Sequence, residues 1–293
     1  MHFMIIAARR SGSSHLVNTL GGHPEITCHG NVFAPGMLPV FWPKNHTESQ
    51  EEIAAIKAEL HKLRDSKPWA FLERVFATNH GRPCTGFKIF PRQNDKILKR
   101  IIKDSSVRKV VLLRGNVLAR YSSQLAARES GQWGGRKQRD EGTKKVQFDT
   151  REFMQFCDNH MDYYSDVLNR LVTRREPYFL IRYEDINEPL MLRSLVRFIG
   201  ANPNSAIVES EQRKVQVKQR TSDIVSRFEN SDDVREFLAK HNMLGWAYEA
   251  ETSMLPPFSD HRAERAHAKT ANPEDNGIAP GVEADNEEGQ MDA

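Results

Sequence analysis

The strongest constraint on this chain is a strand, a tight loop and a helix written into its first twenty residues. Phe3 to Ala8 is an unbroken apolar run, and it passes straight into Arg9-Arg10-Ser11-Gly12-Ser13-Ser14. Leu16, Val17 and Leu20 follow at helical spacing, up to Gly21-Gly22. A short apolar run closed by Ser and Gly reads as a buried strand running into a loop. The start of the following helix offers unpaired N–H groups and a partial positive charge. Gly12 lets the backbone come close, the hydroxyls add donors, and Arg10 can fork onto anionic oxygens. The segment therefore predicts an anion-binding loop, although alone it leaves a solvated turn open. It is not a nucleoside-triphosphate loop of the G-x-x-x-x-G-K-[ST] type. Counting back from Gly12 puts Ala7 at the first glycine, and Ser13 stands where the lysine belongs.

The rest of the chain repeats the alternation. Thr47 with Gln50 predicts a capping box opening a helix over 48–64, where Ile53, Ile56, Leu60 and Leu63 keep helical spacing. Gly86 to Phe90 and Val107 to Leu113 read as buried strands with a helix, Asp95 to Lys103, between them. Asn116 caps a helix to Arg128, and Asp149 to Leu171 carries Phe153, Phe156, Tyr164 and Leu168 on one face. A strand over Tyr178 to Arg182, a helix over Leu190 to Ile199 stopped by Gly200, and a last helix over Asp232 to His241 complete the pattern. Apolar strands separated by helices predict an α/β protein: a P-loop-like three-layer fold with a central, mainly parallel sheet flanked by helices.

Charge is partitioned along the 293 residues, and the net +3 conceals this. Seven acids and no Lys or Arg lie between Thr270 and Ala293, so residues 1–269 hold 42 bases against 32 acids. The expectation is one domain over 1–254 and an acidic tail over 255–293 whose composition is that of a disordered segment. A basic body suggests an anionic ligand. Nucleic acid is set low, because the bases are not interleaved with stacking aromatics and no nucleic-acid motif is present. No apolar run approaches the roughly 18 residues of a membrane helix. Met1 to Ala8 has its basic residues after the apolar run, the reverse of a signal peptide. Three cysteines at scattered spacing suggest neither a disulfide framework nor a zinc site, and a reducing cytoplasm is expected.

The loop Arg10 to Ser14 resembles the 5′-phosphosulfate signature, [RK]-S-G-[ST]-[ST], of the sulfotransferases that use 3′-phosphoadenosine 5′-phosphosulfate (PAPS). A second signature of that family is a strand ending in Arg with a Ser eight residues later. Val110 to Arg114 followed by Ser122 is similar to it. An Arg at the carboxyl end of a parallel strand and a Ser two turns into the next helix can both face the crevice where open α/β sheets bind ligands. His23-Pro24-Glu25-Ile26, Gly86-Phe87-Lys88, Arg182-Tyr183-Glu184-Asp185 and Phe198-Ile199-Gly200 extend the resemblance to a bacterial, carbohydrate-sulfotransferase-like branch over residues 3 to 245. Lys218 to Asp223 is similar to the basic loop that closes over the 3′-phosphate, without its glycines, and a solvated charge cluster stays open there.

The resemblance implies PAPS as sulfuryl donor, 3′-phosphoadenosine 5′-phosphate (PAP) as product, and a carbohydrate or glycolipid hydroxyl as acceptor. It assigns Arg10, Ser11, Gly12, Ser13 and Ser14 to the phosphosulfate, and Arg114, Ser122, Lys218 and Arg220 to the 3′-phosphate. Lys88 is expected as a second cation at the reacting group, against the alternative that it pairs with an acid at the core edge. Where the family has a glutamate base, this chain has Asn31, which cannot accept a proton; His29, His23 and Glu73 are the other candidates. Tyr183 to Asp185 is expected to be structural and is left outside the site. Gly131 to Val146 reads either as a lid whose Trp133 stacks on the acceptor or as a plain surface loop. No metal is expected, and a homo-oligomer stays open. The alternatives are a catalytically impaired PAP- or PAPS-binding protein and a P-loop-like small-molecule kinase.

Overall fold

Five strands form one sheet: β1 (His2–Ala7), β2 (Ile26–Cys28), β3 (Cys84–Ile89), β4 (Val107–Leu113) and β5 (Tyr178–Arg182). Their order is β2-β3-β1-β4-β5, and every neighbouring pair is parallel. The computed structural model describes residues 1–36, 38–43, 45–131, 145–205 and 223–248. Trp133, Lys218, Arg220 and the acidic tail lie outside the described residues.

The helices are α1 (Ser13–Gly21), α2 (Gln50–Ser66), α3 (Pro68–Ala77), α4 (Asp95–Ile102), α5 (Val117–Ser130), α6 (Thr150–Thr173), α7 (Pro189–Ile199) and α8 (Ser231–Lys240). Alternation along β1 divides the core into two layers. Phe3, Ile5 and Ala7 pack against Leu16 and Leu20 of α1 and Leu195 and Ile199 of α7. Met4 and Ile6 belong to the other layer, with Leu60 of α2, Phe71 of α3, Ile97 of α4 and Leu171 of α6. The expected three-layer α/β architecture is present, and the sheet is wholly parallel.

Several details differ from the sequence reading. The capping box at α2 is Ser49 with Glu52, not Thr47 with Gln50. The Ser49 hydroxyl accepts from Glu52 N at 3.2 Å, and the Glu52 carboxylate accepts from Ser49 N at 2.6 Å. Both pairings fit the same spacing rule, and only the backbone path chooses between them. β2 was not expected, because three residues are too few to show a period. α3, with Pro68 in its first turn, was also not expected. Asn116 caps α5 as expected, accepting from Ala119 N at 2.9 Å, and Asp149 caps α6, accepting from Glu152 N at 2.6 Å.

This topology makes one crevice. From β1 the chain leaves through α1 toward β2, and from the adjacent β4 it leaves through α5 and α6 toward β5. Connections diverging from two neighbouring parallel strands open a cleft at their carboxyl ends.

Candidate anion-binding site

The loop between β1 and α1 is held by its carbonyls. Ala8 O accepts from the Ser11 hydroxyl at 2.7 Å and from Ser11 N at 3.4 Å. Arg9 O accepts from Arg120 Nε at 3.3 Å, and Arg10 O from Arg114 Nη1 at 3.1 Å. The first bond within α1 runs from Leu16 N to Gly12 O at 3.1 Å. The N–H groups before it are those that a helix start leaves without an intrahelical acceptor. Gly12 is the N-cap with φ 83°, and Arg10 has φ 64°. A Cβ on Gly12 would overlap the Tyr183 ring, so both the backbone angle and the neighbour demand glycine.

Lys88 completes the loop from β3. It is 6% exposed, and its Nζ donates to Ser14 Oγ at 2.8 Å and to Ser13 Oγ at 3.4 Å. No carboxylate among the described residues pairs with it. Burial pushes the ammonium down to about 8, and the charge of Arg10 acts in the same direction.

Arg114 leaves the end of β4 nearly buried and stacks 4.3 Å from the Tyr183 ring centroid. Arg10 Nε donates to Ser123 Oγ at 2.8 Å. Ser122, fully buried on α5, donates back to Ala119 O at 3.1 Å. The structure thus brings Arg10, Ser11, Gly12, Ser13, Ser14, Lys88 and Arg114 together, with Ser122 beside them.

The candidate bases are elsewhere or occupied. His29 is fully buried; its Nδ1 accepts from Phe41 N at 3.0 Å and its Nε2 faces Val75 O at 3.1 Å. Burial lowers it to about 4, so it is a neutral core histidine without a lone pair to offer a substrate. His23 is likewise buried between Glu25 N and Asn202 O. Glu73 is exposed on α3. Asn31 follows Gly30, whose carbonyl accepts from Lys88 N at 3.2 Å. The Asn31 Oδ1 is buried with no hydrogen-bond partner among the described residues.

Tyr183, expected to be structural and left outside the site, packs directly against the loop. It belongs to a short 3-10 turn after β5, yet it covers Gly12 and stacks on Arg114. Nothing in a linear pattern links residues 12 and 183. Glu184 beside it is partly buried, and that burial raises its carboxyl while Arg114 pulls it the other way. The cluster can therefore hold a multiply charged anion and stabilise negative charge that develops near Lys88.

No protein-family model matches the chain, and no curated protein sequence does. Among solved structures, a sulfotransferase from Alicyclobacillus acidocaldarius is similar, with 15% identity over 83% of this chain and 93% of that chain. The TM-score is 0.45, a likeness too low to bear on function.

Proposed function

We propose that this chain moves the sulfuryl group of PAPS to a hydroxyl, that of a carbohydrate or glycolipid. The reading rests above all on Lys88. A buried ammonium with two serine hydroxyls and, among the described residues, no carboxylate is costly unless an anion completes it, and those hydroxyls belong to the loop of the phosphosulfate signature.

In the reaction the acceptor oxygen bonds to sulfur, and the bond from sulfur to the bridging oxygen breaks. The electron pair of that bond leaves with PAP. Charge grows on the bridging and sulfuryl oxygens, where Arg10, Lys88 and the N–H groups at the start of α1 act. Arg114 and Ser122 take the 3′-phosphate, with Lys218 and Arg220 closing over it and Trp133 meeting the acceptor. The hydroxyl proton goes to a base other than His29 or Asn31. The body, 1–254, carries the activity, and the tail over 255–293 takes no part in it.

The test is incubation with PAPS and a panel of sugar and glycolipid acceptors, followed by detection of PAP and sulfated product. Magnesium-dependent ATP turnover without PAP formation would overturn the reading and favour a kinase. Asn31 Oδ1, without a partner among the described residues, and the locked His29 favour a second reading, an impaired binder of PAP or PAPS. That reading expects tight PAP binding with no product, and turnover gained by Asn31→Glu.

A further inference from the structure

Arg120 has no part in that proposal, yet it is built into the same loop. It lies on α5 and is 4% exposed. Its Nε donates to Arg9 O at 3.3 Å, and its guanidinium hydrogen-bonds His160 Nδ1 and stands 4.9 Å from the Phe156 ring centroid. His160 is 5% exposed on α6, and burial with the Arg120 charge keeps it neutral. No carboxylate among the described residues pairs with Arg120, whose guanidinium burial lowers to about 10.

One turn further along α6, the Tyr164 hydroxyl accepts from Ala8 N at 2.8 Å and donates to Leu112 O at 2.6 Å. Ala7 and Leu112 are the last register partners of β1 and β4 that lie next to each other at this end. The hydroxyl bridges the two strands where their paths divide. α6 therefore props the fork of the crevice at two successive residues: Ala8 through Tyr164, and Arg9 through His160 and Arg120.

The choice of partner is informative. A buried guanidinium is most cheaply kept beside a carboxylate, which would cancel its charge. A neutral histidine satisfies a donor and leaves the charge standing. We infer that Arg120 is a positioning residue of the anion site: it fixes the loop through Arg9 O and adds an uncancelled positive charge behind it, which His160 preserves. The inference rests on the loop being an anion cradle, and not on which anion is transferred.

The experiment measures binding of inorganic pyrophosphate and of PAP to the full chain by calorimetry, together with Tm. His160→Glu gives Arg120 a counter-charge. Binding of both anions should weaken about tenfold or more while Tm holds or rises. His160→Gln keeps a neutral acceptor and should bind within about twofold of wild type, a rescue that a purely structural role would not distinguish from Glu. A folded His160→Glu with unchanged affinity overturns the inference. Should that variant not fold, Arg120→Gln decides: it keeps a donor near Arg9 O without the charge, and unchanged affinity overturns the inference equally. If wild type binds pyrophosphate but does not prefer PAP, the sulfotransfer reading falls while the variants still judge Arg120. If wild type binds neither anion, both fall.

Discussion

Two lysines are buried against the sheet, and they are buried differently. Lys109 on β4, 1% exposed, donates to Glu176 Oε2 at 2.6 Å and to Asp104 O at 2.7 Å. Lys88 on β3 meets the hydroxyls of Ser13 and Ser14 and stands 5.3 Å from the Phe90 ring centroid, with no carboxylate beside it among the described residues. Lys109 pairs in register with Met4 of β1 and Lys88 with Ile5, so they serve opposite faces. A buried charge with its counter-ion inside the protein belongs to the architecture. One held by hydroxyls is, on the proposed reading, completed by a ligand anion, because desolvation is otherwise uncompensated. The positive excess of the body acquires meaning at the second kind of position.

The comparison is best broken by removing each charge. Lys109→Met should strand the mostly buried Glu176 and cost about 3–5 kcal/mol of stability in denaturant unfolding. Lys88→Met should hold or raise Tm, since it removes an uncompensated buried cation, while turnover falls about a hundredfold or more. Equal destabilisation by both would erase the distinction.

Next in size is the nucleotide's far end. Arg114→Ala should weaken PAP about tenfold to a hundredfold, and a nucleotide lacking the 3′-phosphate much less. Ser122→Ala should act in the same direction more weakly, its hydroxyl being bonded back to Ala119 O. Calorimetric titration of both ligands against both variants checks this.

The smallest effect is on pH. The folded ammonium of Lys88 titrates near 8, below its ordinary 10.5. Between those values the unfolded chain holds more protons, so this lysine's contribution to stability rises with pH across that window. Below about 8 its full cost is present. The Tm advantage of Lys88→Met over wild type should thus shrink from pH 8 to 10.5, and wild-type anion affinity should decline above pH 8. A pH-independent difference in Tm would contradict a depressed Lys88.

The sequence showed what is local and left out what is distant. The strand, loop and helix at residues 3–20 were readable because the apolar run, the glycine and the hydroxyls act on their own neighbours. β4 and Arg114 were readable for the same reason. The status of Lys88 was open, since an acid at the core edge is invisible until the sheet is assembled. His29 looked available because nothing in Cys-His-Gly-Asn reveals that Phe41 N and Val75 O occupy its ring. Arg120 escaped notice, and Tyr183 was named only as structural, because their contacts are with Arg9 O, Gly12 and Arg114, far off in the chain.

The central claim is that the cationic loop around Lys88, at the carboxyl end of the sheet, binds a nucleotide bearing both a 5′ anion and a 3′-phosphate. Titrating the purified wild-type chain with PAP, and in parallel with adenosine 5′-phosphate, tests it directly. The account predicts saturable one-to-one binding of PAP, at least about tenfold tighter than the nucleotide without the 3′-phosphate. No binding of PAP, or equal binding of the two, would contradict it.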